Sequence, residues 1–133
     1  MERLSMVLAL AALMLSPAAA EEPGYGELEY LDSCAACHGA DGRGGGPLAG
    51  ELVTRPSDLT RLAEQNGGEF PYWRVFAVID GRYVVPGHGD RDMPVWGRQF
   101  LEGDVQARGP KGGEKATTDR IFELTNYVRS LQR

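Results

Sequence analysis

Both cysteines of this 133-residue chain and one of its two histidines fall within five consecutive positions, Cys34-Ala35-Ala36-Cys37-His38. Few chemistries use that arrangement, and each asks for a different fold. A redox dithiol can be built on C-x-x-C in an oxidising compartment. It needs a βαβ setting, however, and the apolar runs that would make its strands are missing. Half of a zinc site can also begin with C-x-x-C and then needs two further ligands. With no other cysteine, His38 and His88 would have to supply them, and His38 is awkwardly adjacent. The third chemistry uses all three residues together, since C-x-x-C-H is the spacing for attachment of a c-type haem. Two thiols two residues apart can bond to the two vinyl groups on one porphyrin edge, and the next residue then offers an imidazole nitrogen to the iron. One haem c, covalent through Cys34 and Cys37 and with His38 as proximal ligand, is therefore the expected cofactor.

Positions 1–20 read as a cleaved secretory signal peptide. Arg3 supplies the positive start, Leu4 to Leu15 the apolar stretch and Ala18-Ala19-Ala20 the small-residue cleavage rule, so that a single domain, 21–133, starts at Glu21. The apolar stretch is shorter than the ~20 residues that span a bilayer, and no later segment is a candidate. The expectation is a soluble, exported protein of the periplasm, without stable membrane insertion after cleavage.

All 18 glycines lie beyond residue 20, and Met93 is the one methionine there. Glycine in that part runs at more than twice the ~7% average. A small domain with so much backbone freedom and so little apolar material needs core from another source, and a porphyrin would provide it. The net charge of −5 comes without a basic stripe, which makes the chain a poor nucleic-acid binder. Lys111 and Lys115 are its lysines, so there is no lysine ring to steer an acidic partner.

Periodicity predicts helices at both ends of the domain. Gly26, Tyr30 and Cys34 recur at four-residue steps and share a helix face. Ile121, Leu124, Tyr127, Val128 and Leu131 form an amphipathic stripe, with Thr117, Thr118 and Asp119 as cap candidates before it. Ser57 or Asp58 caps a segment through Leu59, Leu62 and Ala63 that Asn66-Gly67-Gly68 ends. Pro71 opens a further helix whose apolar face is Tyr72, Trp73, Val75, Phe76 and Ile79 and which Gly81 stops. Between the motif and these helices, Gly39 to Pro47 holds five glycines in nine residues, forbidding regular structure and letting backbone run close to a ligand. Residues 103–118, rich in Gly, Lys and Thr, read as a long connection before the last helix.

The motif, the Gly26/Tyr30 helix face and the Leu124/Tyr127 pair together resemble the class I c-type cytochromes, over most of the chain after the leader. The resemblance implies an all-α cytochrome c fold, with three to five short helices and loops wrapped around one covalently bound haem. It implies that the first and last helices pack together, with the glycine allowing close approach. It also implies that Pro47, the proline after the glycine run, gives its carbonyl to the second nitrogen of the His38 ring, fixing the tautomer and raising basicity. Candidates for the sixth ligand are Met93, His88, Lys111 and Lys115. Met93-Pro94 followed by Trp96-Gly97 resembles the distal-ligand loop of small bacterial cytochromes, which makes Met93 the expected ligand and His88 its alternative.

With both axial positions filled by protein, the available chemistry is one-electron transfer rather than catalysis. The resemblance therefore implies a periplasmic electron carrier. Its redox partners would be a dehydrogenase or quinol-oxidising complex on one side and a terminal oxidase or reductase on the other. Two alternatives stay open: a dedicated cytochrome subunit of a periplasmic oxidoreductase, for which the 103–118 connection would be a distinguishing feature, and a haem-based sensor in which Met93 leaves the iron.

Overall fold

A computed structural model describes residues 23–82 and 93–133; the expected leader, the Glu21 start and His88 lie outside them. Among the described residues the regular structure is helical, without strands. Helix α1 is Tyr25–Ser33, α2 is Ala35–His38, α3 is Tyr72–Asp80 and α4 is Trp96–Ser130, with single 3-10 turns at Ala49–Glu51, Leu59–Arg61 and Glu64–Asn66. No described helix is long and apolar enough to cross a membrane.

The expected pairing of the first and last helices is present. Gly26 is buried where α1 crosses α4, and a Cβ there would strike the main chain of Glu123 and lie 3.3 Å from Tyr127 Cβ. Its missing side chain sets the distance between the two helices. One turn on, Tyr30 is fully buried with its ring 5.1 Å from that of Tyr127. The stripe on α4 delivers Ile121, Leu124 and Val128 to the same core, which Cys34, Ile79 and Phe100 complete.

Helix α3 runs between the punctuation read from sequence. Pro71 precedes its first turn, and Gly81 ends it in a left-handed conformation at φ 63°, its N–H donating to the Ala77 carbonyl. Phe76 packs on Phe122 of α4 at 4.7 Å between ring centroids, and Tyr72 donates its hydroxyl to Asn126 Oδ1 at 3.0 Å. The segment before it is less regular than expected. Asp58 caps Leu59–Arg61 by accepting the Thr60 N–H, but the turns stay 3-10 up to Gly67, which is left-handed at φ 71°.

The expected long connection at 103–118 is not a loop. Helical structure runs from Trp96 to Ser130 and is broken at one residue, Gly109, whose φ of 73° and ψ of 172° are not helical. Contacts open out from that point in pairs. Val105 meets the backbone of Gly113, Asp104 accepts a hydrogen bond from the Thr117 hydroxyl at 2.9 Å, and the Arg120 guanidinium lies 4.6 Å above the Phe100 ring. Such pairing is that of two antiparallel arms, so α4 is a helical hairpin. Pro110 fits because the first turn of the returning arm needs no N–H from it. Gly113 fits because a Cβ would sit 2.5 Å from Val105 Cα. Glycine density, which reads as irregular chain by local propensity, here serves a turn and a close helix contact.

Candidate functional site

The motif sits where α1 ends. Cys34 N–H donates to the Tyr30 carbonyl at 2.8 Å, and the N–H groups of Cys37 and His38 both donate to the Cys34 carbonyl, at 3.1 and 2.9 Å. One helical turn therefore carries both sulfur atoms and the imidazole. Both thiols are free, with Cys34 buried and Cys37 half-buried. Burial, then the Glu29 carboxylate and the neighbouring Cys37, push the Cys34 thiol up to about 12. It stays S–H at neutral pH, because an anion there would be unsolvated and close to negative charge.

His38 is held in one tautomer. Its Nδ1 lies 3.1 Å from the Ser57 carbonyl oxygen, which can accept but not donate, so the ring proton sits on Nδ1 and the lone pair on Nε2. Burial lowers the pKa of the ring, against a smaller opposing effect of the Ser57 hydrogen bond. The result is a neutral imidazole with one nitrogen ready to donate to a metal.

The acceptor is thus Ser57 and not Pro47, and the glycine loop explains the exchange. Gly44 N–H donates to the His38 carbonyl, Gly46 N–H to that of Cys37 and Leu48 N–H to that of Ala36, at 2.7, 3.1 and 2.8 Å. The loop is laid back along α2, so close that a Cβ on Gly46 would meet the carbonyls of Ala35 and Ala36. Pro47 is left exposed on the outside of this fold-back. The chain returns instead through Pro56, whose backbone presses on Gly44 where any Cβ would collide, and this brings the Ser57 carbonyl to the ring.

Two further groups fix the turn after the motif. The buried Tyr30 hydroxyl donates to the Gly39 carbonyl at 2.8 Å, tying α1 to the residue that follows His38. On the other side, Leu59 N–H donates to the Gly42 carbonyl at 2.7 Å, and Asp58 Oδ1 accepts both the N–H and the hydroxyl of Thr60, at 2.9 and 2.6 Å. Sequence reasoning took Tyr30 for a packing residue and missed its hydroxyl. Of the two cap candidates, Ser57 and Asp58, the cap is Asp58; the role of the Ser57 carbonyl went unseen, because a main-chain oxygen leaves no trace in residue identity.

Met93 is partly buried and packs on the same apolar cluster that contains Cys34. Trp96, the first residue of α4, and Phe100, one turn on, stack on each other in that cluster with ring centroids 5.4 Å apart. Of the other ligand candidates, His88 lies outside the described residues, Lys111 is exposed on the hairpin, and Lys115 is exposed and paired with Asp119 at 2.5 Å. Trp73 is 69% exposed, stacked edge-on against Phe122. No family model matches the chain, and neither a characterised protein nor a solved structure matches it significantly.

Proposed function

We propose that this chain is a one-electron carrier of the class I cytochrome c kind, exported to the periplasm. Cys34 and Cys37 would hold one haem c by thioether bonds, and His38 and Met93 would be its axial ligands. The observation that carries this reading is the state of His38: a neutral imidazole with Nδ1–H engaged by Ser57 and Nε2 uncommitted, one turn from two free thiols. That set fits covalent haem attachment. Each thiol would add across a vinyl double bond, sulfur to one carbon and hydrogen to its neighbour, so reduced cysteines are the required state and no oxidant is consumed.

When bound, the haem supplies exchange of a single electron between ferrous and ferric iron. The Ser57 carbonyl keeps the His38 ring from rotating and strengthens it as a donor. Met93 would offer a soft thioether from the rim of the apolar cluster, and an iron held by both His38 and Met93 would keep no position for substrate. The partners are then a periplasmic dehydrogenase or quinol-oxidising complex as donor and a terminal oxidase or reductase as acceptor. The 103–118 segment, being a packed hairpin, no longer favours a subunit role over a free carrier.

The test is expression with a periplasmic haem-attachment system followed by acid–acetone extraction and a pyridine haemochrome spectrum. A c-type spectrum that stays with the protein, one haem per chain, supports the proposal. Free thiols with no Soret absorption would sink it.

A further inference from the structure

Gln132 and Arg133, the second and third residues after the hairpin, clasp the segment that carries Ser57. Gln132 Oε1 accepts the Ala63 N–H at 2.9 Å, and Gln132 Nε2 donates to the carbonyls of Leu59 at 2.7 Å and Val128 at 2.8 Å. Arg133 donates its main-chain N–H to the Thr60 carbonyl at 3.2 Å, its Nε to Thr60 Oγ1 at 2.8 Å and its Nη2 to Asp58 Oδ2 at 3.2 Å. These bonds all land within 58–63 except the one to Val128. On the opposite side the same segment rests on Gly42 and Gly44. Packing alone fixes a short 3-10 turn poorly, since it has few apolar contacts and weak hydrogen-bond geometry of its own. Directional bonds from both sides fix its register.

We infer that Gln132 and Arg133 are positioning residues for the proximal histidine: by locking residues 58–63 they set where the Ser57 carbonyl stands and hence the strength of the His38 Nδ1–H bond. The inference rests on His38 being the haem ligand proposed above. Without the clasp the Ser57 carbonyl drifts and water becomes the acceptor. A more weakly held Nδ1–H makes the imidazole a poorer donor, which stabilises ferric iron less and raises the reduction potential.

The experiment uses the haem-loaded protein and the variant Gln132→Met/Arg133→Met, with Arg61→Ala as control because its exposed pair with Glu64 lies on the same segment outside the clasp. The exchange rate of the His38 Nδ1 proton is read by NMR and the potential by redox titration. The double variant should exchange this proton roughly fivefold faster or more, the factor expected for losing one ordinary hydrogen bond, and should have a higher potential; the control should match the parent. If the double variant does not load haem, Arg133→Lys replaces it, keeping a charge toward Asp58 but losing the reach to Thr60, and a smaller shift in the same direction is expected. A loaded clasp variant with unchanged exchange and potential overturns the inference while leaving the haem reading intact. A parent chain without covalent haem overturns both.

Discussion

At His38 the acceptor for Nδ1–H is a main-chain carbonyl, so replacing the Ser57 side chain does not remove it. Pro47→Ala should accordingly leave the visible spectrum of the haem-loaded protein unchanged, whereas His38→Ala should abolish low-spin ligation. For Met93 the expected result of Met93→Ala is loss of the sulfur-to-ferric-iron charge-transfer band together with new carbon monoxide binding to the ferrous form, both read by absorption. If the parent lacks that band and His88→Ala alone alters its spectrum, the distal ligand is His88. Asp58 gives a pH prediction. The Thr60 hydroxyl, then the Thr60 N–H and Arg133, hold its carboxyl below the usual carboxylate range, against a desolvation effect of the other sign. A depressed folded value means that the stabilisation is complete above the unfolded value of about 3.9 and is lost as pH falls through the lower folded one. Asp58→Asn should therefore flatten the acid limb of the stability curve below about pH 4, measured by urea melts across that range.

Elements with a clear period were readable before the fold was known. The four-residue recurrence of Gly26, Tyr30 and Cys34, and the stripe from Ile121 to Leu131, place buried residues because a helix presents them together. Gly81 and Gly67 ended their segments for the conformational reason expected of them. The hairpin was not readable, since Gly103, Gly109, Gly112 and Gly113 weaken local helix propensity while the contacts that override it come from eight to twenty positions away, as at Val105 with Gly113, Asp104 with Thr117 and Phe100 with Arg120. Gly113→Ala should destabilise the protein by about 1–3 kcal/mol, the usual range for overpacking, because the new Cβ meets Val105 backbone rather than a flexible side chain. Gly109→Ala should cost roughly 1–3 kcal/mol, because a positive φ of 73° with an extended ψ of 172° is essentially reserved for glycine, although space around it is open. Chemical denaturation of the pair separates crowding from backbone strain.

Over the whole molecule, the buried apolar core of the described residues is seven side chains, and one of these is Cys34. Several apolar groups nearby stay at the surface, including Leu48 at 50% exposure and Val53 fully exposed. A core this thin, crossed by buried polar groups that each find a partner, such as Thr117 on Asp104 and Thr125 on the Ile121 carbonyl, leaves little margin in a domain of this size. A porphyrin held as proposed would supply the missing apolar surface and tie it to the motif. Cys34→Ala/Cys37→Ala, which cannot attach haem, should therefore lose most of its helical circular dichroism at 37 °C, while the loaded parent melts cooperatively. The most direct test of covalent attachment is mass spectrometry of the denatured protein after expression with the attachment machinery. The parent should be heavier than its polypeptide by one haem, with the added mass on the peptide containing Cys34 and Cys37. A denatured chain at polypeptide mass, with both thiols free to alkylate, would contradict the account.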